Sequence, residues 1–358
     1  SMKFMHISDV HLGVKPDAGK AWSEKRAQDI WDSFAEMIEI AAEESPDFLL
    51  ISGDLFHKQP LKRELKEVCG LFARIPQTKV LLMAGNHDYI QQNSFYRTCE
   101  WPENVCFFPR EEVMCFDFPE QNTTVYGLSY WHREIRQALY DEVFPKNTDR
   151  INILLAHGGD ERHIPFSVEK ILRHGFDYIA AGHIHKGGQL VQGRAVMAGA
   201  LEPTDCNDFG PHGFWMGELT EAGCRVSFYP IKKCEYIQQE INVTPELSAY
   251  AVSELVRQEL QSRKPYQISH VILRGYRDAE TELPLDEIAE MERVVRVVDE
   301  TEPDYQFDLL KQKYDGTLLQ KYIEVMEQCP NLELRKKALY YGVQAMLDTA
   351  EEGRERIG

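Results

Sequence analysis

Residues 4–13, Phe4-Met5-His6-Ile7-Ser8-Asp9-Val10-His11-Leu12-Gly13, form a short apolar run that ends in an aspartate and a histidine two residues apart. The pattern returns four times. Residues 48–51 lead through Ser52-Gly53 to Asp54, and residues 80–83 lead through Ala84-Gly85 to Asn86. Residues 151–156 end at His157, and residues 178–181 lead through Gly182 to His183 and His185. Each run has the length and apolar character of a buried strand. In open α/β sheets functional groups gather at the carboxyl ends of strands. Five strands are therefore expected to deliver Asp9, His11, Asp54, Asn86, His157, His183 and His185 to one rim. Glycines 53, 85 and 182 allow tight backbone turns beside it.

Those residue types are metal ligands. Imidazole nitrogens mixed with Asp and Asn oxygens suit manganese, iron or zinc better than calcium. Asp54 is the expected bridge between two cations, because a carboxylate offers two oxygens. Asp9, His11 and His185 are expected to hold one metal, and Asn86, His157 and His183 the other. Two cations about 3.5–4 Å apart supply the activated water and the charge clamp that phosphoester hydrolysis needs. His87 is assigned no metal. Its ordinary pKa of about 6.5 lets it hold or give a proton near neutrality, so it is expected to donate to the leaving oxygen or steady transition-state charge. Asp88 could orient His87 or cap the following turn. One Asp-x-His or one Gly-Asp is a weak signal. Five such motifs in one order, each behind an apolar run, are a strong one.

Around these motifs the first 230 residues alternate between strand and helix patterns. Ile30, Phe34, Met37, Ile38 and Ala41 fall at helical spacing, and Ser45-Pro46 stops that helix. Leu65, Val68 and Phe72 mark a second helix. Residues 195–198, 213–219 and 226–231 read as a strand meander. The expected class is an α/β sandwich whose later part is richer in β. Composition shifts near residues 232–240. Beyond it a helix at 246–261, a strand at 269–274, a helix at 285–293 and a strand at 294–298 suggest a small α/β lobe. Residues 303–316 read as a polar linker, and residues 318–350 as a helical tail broken near Cys329-Pro330. The expected domains are 1–235, 236–302 and 303–358.

Composition narrows the function. The 358 residues carry a formal net charge of −18, spread over both parts: 23 basic against 33 acidic side chains in residues 1–230, and 17 against 25 beyond. An acidic balance argues against tight non-specific binding to a phosphate polymer, so such binding must rest on local patches or a partner. Ser1 ahead of Met2 is set aside as a cloning remnant. The run at residues 4–7 is too short for a signal peptide or a membrane span. The eight cysteines are scattered without a C-x-x-C pair, which points to reduced thiols in a cytoplasmic protein. Residues 13–20 lack the glycine spacing and the Ser/Thr of a phosphate loop, so any ATP dependence is expected from a partner.

Asp9-Val10-His11, Gly53-Asp54, Gly85-Asn86-His87-Asp88, His157-Gly158 and Gly182-His183-Ile184-His185 together resemble the full signature of the calcineurin-like metallophosphoesterases. Residues 6–13 and Gly53-Asp54-Leu55-Phe56-His57 resemble, more narrowly, the SbcD-type DNA double-strand-break repair nucleases. Gly199-Ala200-Leu201-Glu202-Pro203-Thr204 resembles the segment where that family closes its core. The resemblance implies a four-layer β-sandwich flanked by helices, a small α/β capping lobe, and C-terminal helices that dock a coiled-coil ABC-type ATPase. It implies two divalent ions, manganese first, and exonuclease or endonuclease action on double-stranded DNA ends. Relatives pair as dimers through core helices. His57 would touch the DNA end near the scissile phosphate. Lys58, Lys62 and Lys66 would share a helix face that could meet phosphates, although interleaved Glu64 and Glu67 suit an ordinary solvated helix equally well.

Two other functions compete. A phosphodiesterase on nucleotides or other small phosphoesters fits the acidic surface. A DNA-tethering scaffold with a dead site fits less well, since this chain keeps every ligand. His132, His163 and His174 are unassigned, the last two read as surface or loop residues, and His212 sits in a turn placed near the substrate rim.

Overall fold

The computed structural model describes residues 1–220 and 222–355. Parallel strands β1 (Met2–Ile7), β2 (Phe48–Ile51), β3 (Lys79–Leu82) and β4 (Val105–Phe107) build one half of a first sheet. Its other side is β11 (His212–Thr220), antiparallel to β1, followed by β12 (Gly223–Ile231). A second six-stranded sheet runs in the order β5 (Met114–Phe118), β6 (Thr123–Gly127), β7 (Ile151–His157), β8 (Tyr178–Gly182), β10 (Ala195–Met197), β9 (Gly188–Val191).

Period-two alternation explains how these strands are used. Phe4, Phe48, Leu50 and Leu81 of the first sheet share one buried cluster with Val125, Ile153, Leu155 and Ala180 of the second. Their neighbours Met5, Ile7, Leu49, Ile51, Val80 and Leu82 face the other way. They pack on Ile30, Phe34, Met37 and Ile38 of α1 (Ser23–Glu44) and on Leu65, Val68 and Phe72 of α2 (Lys62–Phe72). Both faces of β1–β3 are therefore covered, which is why their sequences are continuous apolar runs. On the second sheet, Ile171 and Leu172 of α3 (Val168–Arg173) join the core. The result is the expected α/β architecture, sheets flanked by helices. All eight cysteines are free thiols.

Three local expectations are corrected. Residues 195–231 do not form one meander: β10 pairs with β8 and β9, whereas β11 and β12 complete the other sheet. Local β pattern carries no information about which sheet a strand joins. Helix α2 begins at Lys62, so Lys58 lies in the preceding turn and shares no helix face with Lys62 and Lys66. Residues 303–316 are no linker. They supply the end of β16 (Glu302–Asp304) and α6 (Phe307–Lys313), with Tyr305 buried and Phe307, Leu310 and Tyr314 packed beside it.

By compactness the chain divides into residues 1–237 with 264–268, and residues 238–263 with 269 onward. The second unit has two cores. One joins β13 (Glu235–Val243), α4 (Ala249–Gln261), β14 (Gln267–Asp278), α5 (Leu285–Ala289) and β15 (Val294–Asp299) through Ile241, Val252, Val256, Val271, Ile288 and Val294. The other gathers Tyr305 with Leu319 and Ile323 of α7 (Leu318–Glu327) and Leu339 and Val343 of α8 (Leu332–Glu355). No helix among the described residues is long and apolar enough to cross a membrane.

Candidate metal centre

The seven candidate ligands come from the ends of neighbouring strands in both sheets. β1, β2 and β3 lead to Asp9 and His11, Asp54, and Asn86; β7 ends at His157 and β8 leads to His183 and His185. The chain must turn sharply there. Asp9, His11 and Asp54 have φ of 50°, 51° and 52°, and His183 reaches 101°. Non-glycine residues rarely adopt positive φ, and such strain persists only where the surroundings over-determine it. Gly53 has φ +90°, and a Cβ there would lie 2.5 Å from His157 Nδ1. A Cβ on Gly85 would collide with Asp54 Oδ1. Gly53 is required by its positive φ as well as by close approach, and Gly85 by close approach alone.

Around Asp54 the donors converge. Asp54 Oδ2 lies 3.4 Å from His157 Nε2 and 3.7 Å from His11 Nε2. Its Oδ1 accepts the His87 backbone N–H at 2.9 Å. His11 Nε2 is 3.7 Å from Asp9 Oδ1 and 3.2 Å from His185 Nε2. Asn86 Oδ1 sits 2.9 Å from His157 Nε2 and 3.1 Å from His183 Nδ1. Asp9, His11 and His185 thus place ligand atoms within 4.8 Å of one another, as do Asp9, Asp54 and His157.

Two observations test whether cations fit. Asp9 Oδ1 is buried and has no hydrogen-bond partner, although Oδ2 accepts from Ser8 Oγ and from the His183 N–H at 2.9 Å. His11 Nε2 and His185 Nε2, at 3.7 and 4.0 Å, are too far to donate to it, and a buried carboxylate oxygen without a hydrogen bond is costly unless a cation takes it. The imidazoles are also aimed. His157 Nδ1 donates to the Ser52 carbonyl at 2.7 Å, and His185 Nδ1 donates to Asp208 Oδ2 at 2.9 Å. Each ring is thereby left with Nε2 facing the other ligands, the arrangement that fixes tautomer and orientation in metal sites. His183 Nε2 donates to Asp160 Oδ2 at 2.7 Å and turns Nδ1 inward.

The electrostatics follow from burial and proximity. Burial pushes Asp54 up, but the charges of His157 and His11 hold it far below the carboxylate range. Burial opposes ionisation of Asp9 too, yet His11 and His157 bring it to about 2. Burial lowers His157, and Asp54 more than reverses this, to about 9. His185 also reaches about 9, burial being outweighed by Asp208 and Asp9. Burial and then the charge of His11 hold His57 at about 4. His87 is lowered, chiefly by burial.

Of the residues expected to meet substrate, His57 is brought to the centre, its Nδ1 3.3 Å from His11 Nδ1 and its ring stacked on His87 at 5.3 Å. Lys58 lines an adjoining cleft of about 560 Å³ with Lys15, Arg63 and Glu64. Lys62 is not among the residues lining that cleft and instead sits over the Phe95 ring at 5.5 Å. Asp88 does not orient His87. Its buried carboxylate accepts from Gly85 N, Phe56 N and Tyr96 OH at 2.7, 3.2 and 2.6 Å, fastening two ligand loops together. His212 is buried in β11, not in a rim turn, and holds the Asp208 carbonyl through Nε2 at 3.0 Å.

Asp160, Asp208 and His6 were not singled out from sequence. Asp160 and His163 stand three residues apart behind His157 and bond at 2.8 Å, so an Asp-x-x-His spacing was the available signal. His6 is a histidine inside an apolar strand; it bridges Ser52 Oγ at 3.0 Å and Tyr178 OH at 3.1 Å, linking the two sheets.

Residues 2–187 match the family described as calcineurin-like phosphoesterase. The chain belongs to that family. Among curated proteins this calcineurin-like phosphoesterase is 26% identical over 277 residues to the uncharacterized metallophosphoesterase YhaO of Bacillus subtilis, covering 71% of this chain and 66% of that one. It is 29% identical to the DNA double-strand break repair protein Mre11 of Methanocaldococcus jannaschii, over 52% of each chain. The Mre11 of Thermoplasma acidophilum is 30% identical over 51% of each. The match thus spans about half to two thirds of the length of these relatives. Among solved structures, a dimetal phosphatase from Danio rerio aligns with a TM-score of 0.40 and 13% identity, over 64% of this chain and 99% of its own. The family is one of metal-dependent hydrolases, and the His and Asp clusters here suit two metal ions.

Proposed function

We propose that this phosphoesterase is a two-metal phosphodiesterase acting on double-stranded DNA ends, as an exonuclease or endonuclease in DNA repair. The observation that carries the phosphodiesterase part is the gathering of Asp9, His11, Asp54, His157 and His185 beside a buried Asp9 oxygen that has no hydrogen bond, with Asn86 joining His157 to His183 alongside. Asp9, His11 and His185 would hold one ion and Asn86, His157 and His183 the other, with Asp54 shared between them. Manganese is the proposed metal, with iron or zinc as alternatives allowed by the donor set. When bound, the ions would activate water and neutralise charge on the phosphoryl oxygens.

The chain's own groups do the rest. The His87 N–H and His157 hold the Asp54 carboxylate in place. Burial lowers His87 and so favours the uncharged ring, whose N–H can donate a hydrogen bond to the leaving oxygen. His57, beside it, is positioned to meet the backbone of the strand being cut, with Lys58 at the next position. The relatives named Mre11 support DNA as substrate. By the same support the proposed partners are a coiled-coil ABC-type ATPase and a second copy of this chain; the cysteines, scattered and free, support a cytoplasmic location.

A second reading is favoured by one observation. A net charge of −18 repels a polyanion and suits a small nucleotide or other phosphoester. One comparison separates the two. Linear duplex DNA and bis-p-nitrophenyl phosphate are each incubated with the manganese-loaded protein, with and without chelator. DNA degradation that chelator stops is the expected result. Cleavage of the small diester with DNA untouched would hand the assignment to the second reading.

A further inference from the structure

Beside His185 lies a cavity of about 510 Å³ that none of the roles above uses. Its size is that of small-molecule sites. Phe209, Trp215 and Phe228 line it, together with His185, Lys186 and Gly188. Trp215 and Phe228 are cross-strand partners on β11 and β12, their ring centroids 5.3 Å apart. Trp215 Nε1 is already committed to the Ala198 carbonyl at 3.1 Å, so Trp215 offers this space its ring and not a hydrogen bond. Part of the lining is bare backbone. A Cβ on Gly199 would lie 2.6 Å from Gly187 N, so these two chain segments touch and leave no room for side chains between them.

Three features bear on the occupant. Aromatic walls select a flat, polarisable group, and bases stack on such rings without regard to sequence. Lys186, exposed in the lining, supplies a charge that suits a phosphate. His185 both lines the cavity and carries Nε2 to within 3.2 Å of His11 Nε2. A single imidazole therefore separates the cavity from the candidate metal centre.

We propose that this cavity is a nucleobase subsite, which takes the base of the nucleotide whose phosphate lies at the metal centre. The inference rests on the phosphodiesterase reading and deepens it. The substrate is a nucleotide with an unstacked base: at a DNA end, the terminal residue leaves the helix before it is cut. Unstacking a base costs least where it is already single-stranded, as at a frayed end.

Binding tests it without turnover. Inorganic phosphate, ribose 5-phosphate and adenosine 5′-monophosphate are titrated into the manganese-loaded full chain by calorimetry and by tryptophan fluorescence. The nucleotide is expected to bind about tenfold tighter than ribose 5-phosphate, as stacking on aromatic side chains allows. It should change an emission that Trp215→Phe removes. Gly188 has no positive φ, and its Cβ would meet nothing within 4 Å, so Gly188→Leu can fill the cavity. That variant should lose the base advantage while keeping its metal and its affinity for ribose 5-phosphate. Phe228→Ala, on the edge strand, is the second variant and should weaken the nucleotide alone. Equal binding of nucleotide and ribose 5-phosphate overturns the subsite and leaves the phosphodiesterase reading intact. A base advantage that survives both variants overturns it as well. If no phosphate probe binds the loaded protein, the phosphodiesterase reading falls and takes the subsite with it.

Discussion

Asp208 accepts the Nδ1–H of His185 at 2.9 Å and is itself held from three sides. The Thr204 backbone N–H reaches the same Oδ2 at 3.0 Å, the Thr204 hydroxyl at 3.1 Å, and the Asp205 N–H at 3.3 Å. The ring of His185 is thus set by a carboxylate that cannot itself swing. Such outer partners are worth about 10–100-fold in metal affinity. Asp208→Ala should therefore bind manganese about 10–100-fold more weakly in calorimetry while its circular dichroism spectrum stays native. Unchanged affinity would show that His185 needs no such support.

Metal uptake should depend on pH in a stated direction. In the metal-free protein His157 and His185 titrate at about 9, so both are charged at pH 7 and must lose protons to serve as ligands. Apparent affinity should climb by one to about two orders of magnitude per pH unit between pH 7 and 9. Calorimetry in two buffers of different ionisation enthalpy should count one to about two protons released. Stability of the metal-free protein runs the other way. His157 is raised above its ordinary 6.5, so its contribution is fully present below pH 6.5 and is lost as pH rises through 9. The melting temperature of the metal-free chain should fall over that window. A flat profile would mean that the Asp54–His157 pair is not ionic.

His87→Ala should retain both metals and lose about 10²–10³-fold in turnover on bis-p-nitrophenyl phosphate, the usual cost of removing one hydrogen-bond donor to developing charge. Only its backbone N–H holds Asp54, and alanine keeps that donor. Metal analysis and rate together decide the matter: a variant that loses its metal would make His87 a ligand.

Two glycines should respond in opposite senses. Gly53→Ala must place a Cβ 2.5 Å from His157 Nδ1 at φ +90°, and strain of this kind costs about 1–3 kcal/mol. Gly70 lies within α2 with nothing within 4 Å of its Cβ position. Gly70→Ala should stabilise by roughly 0.5–1 kcal/mol, since alanine has less backbone entropy to lose in a helix. Thermal denaturation of both variants checks the contrast, and a stable Gly53→Ala would remove the close approach as a constraint.

Removing residues from 305 onward takes away one self-contained core, built on Tyr305, Leu319, Ile323, Leu339 and Val343. Cleavage of the small diester should persist in that truncation, and binding of a coiled-coil ATPase partner should vanish. A folded truncation without diesterase activity would refute this division of labour.

Much of this was legible in one dimension. Both faces of β1, β2 and β3 are buried, so their apolar runs stand out, and the ligands follow at once because the strand ends deliver them. Asp208 and Asp160 escaped notice because single aspartates in loops look alike until folding sets one against an imidazole. The segment at residues 303–316 looked polar because only one side of α6 packs, and Phe307 and Leu310 are too few to show a period. Strand β10 looked like its successors in sequence, since pairing partners lie outside any local window.

By itself, then, the order of residues determined the α/β class, the strands that end in ligands, and the kinds of donor atom available, because periodicity and side-chain chemistry are local properties. Only the tertiary structure decided which nitrogen of each imidazole faces inward, that Asp9 Oδ1 is left without a hydrogen bond, and that an aromatic cavity adjoins His185. Those depend on groups up to 174 residues apart, as His11 and His185 are, meeting within a few ångströms, and no local pattern encodes such distances.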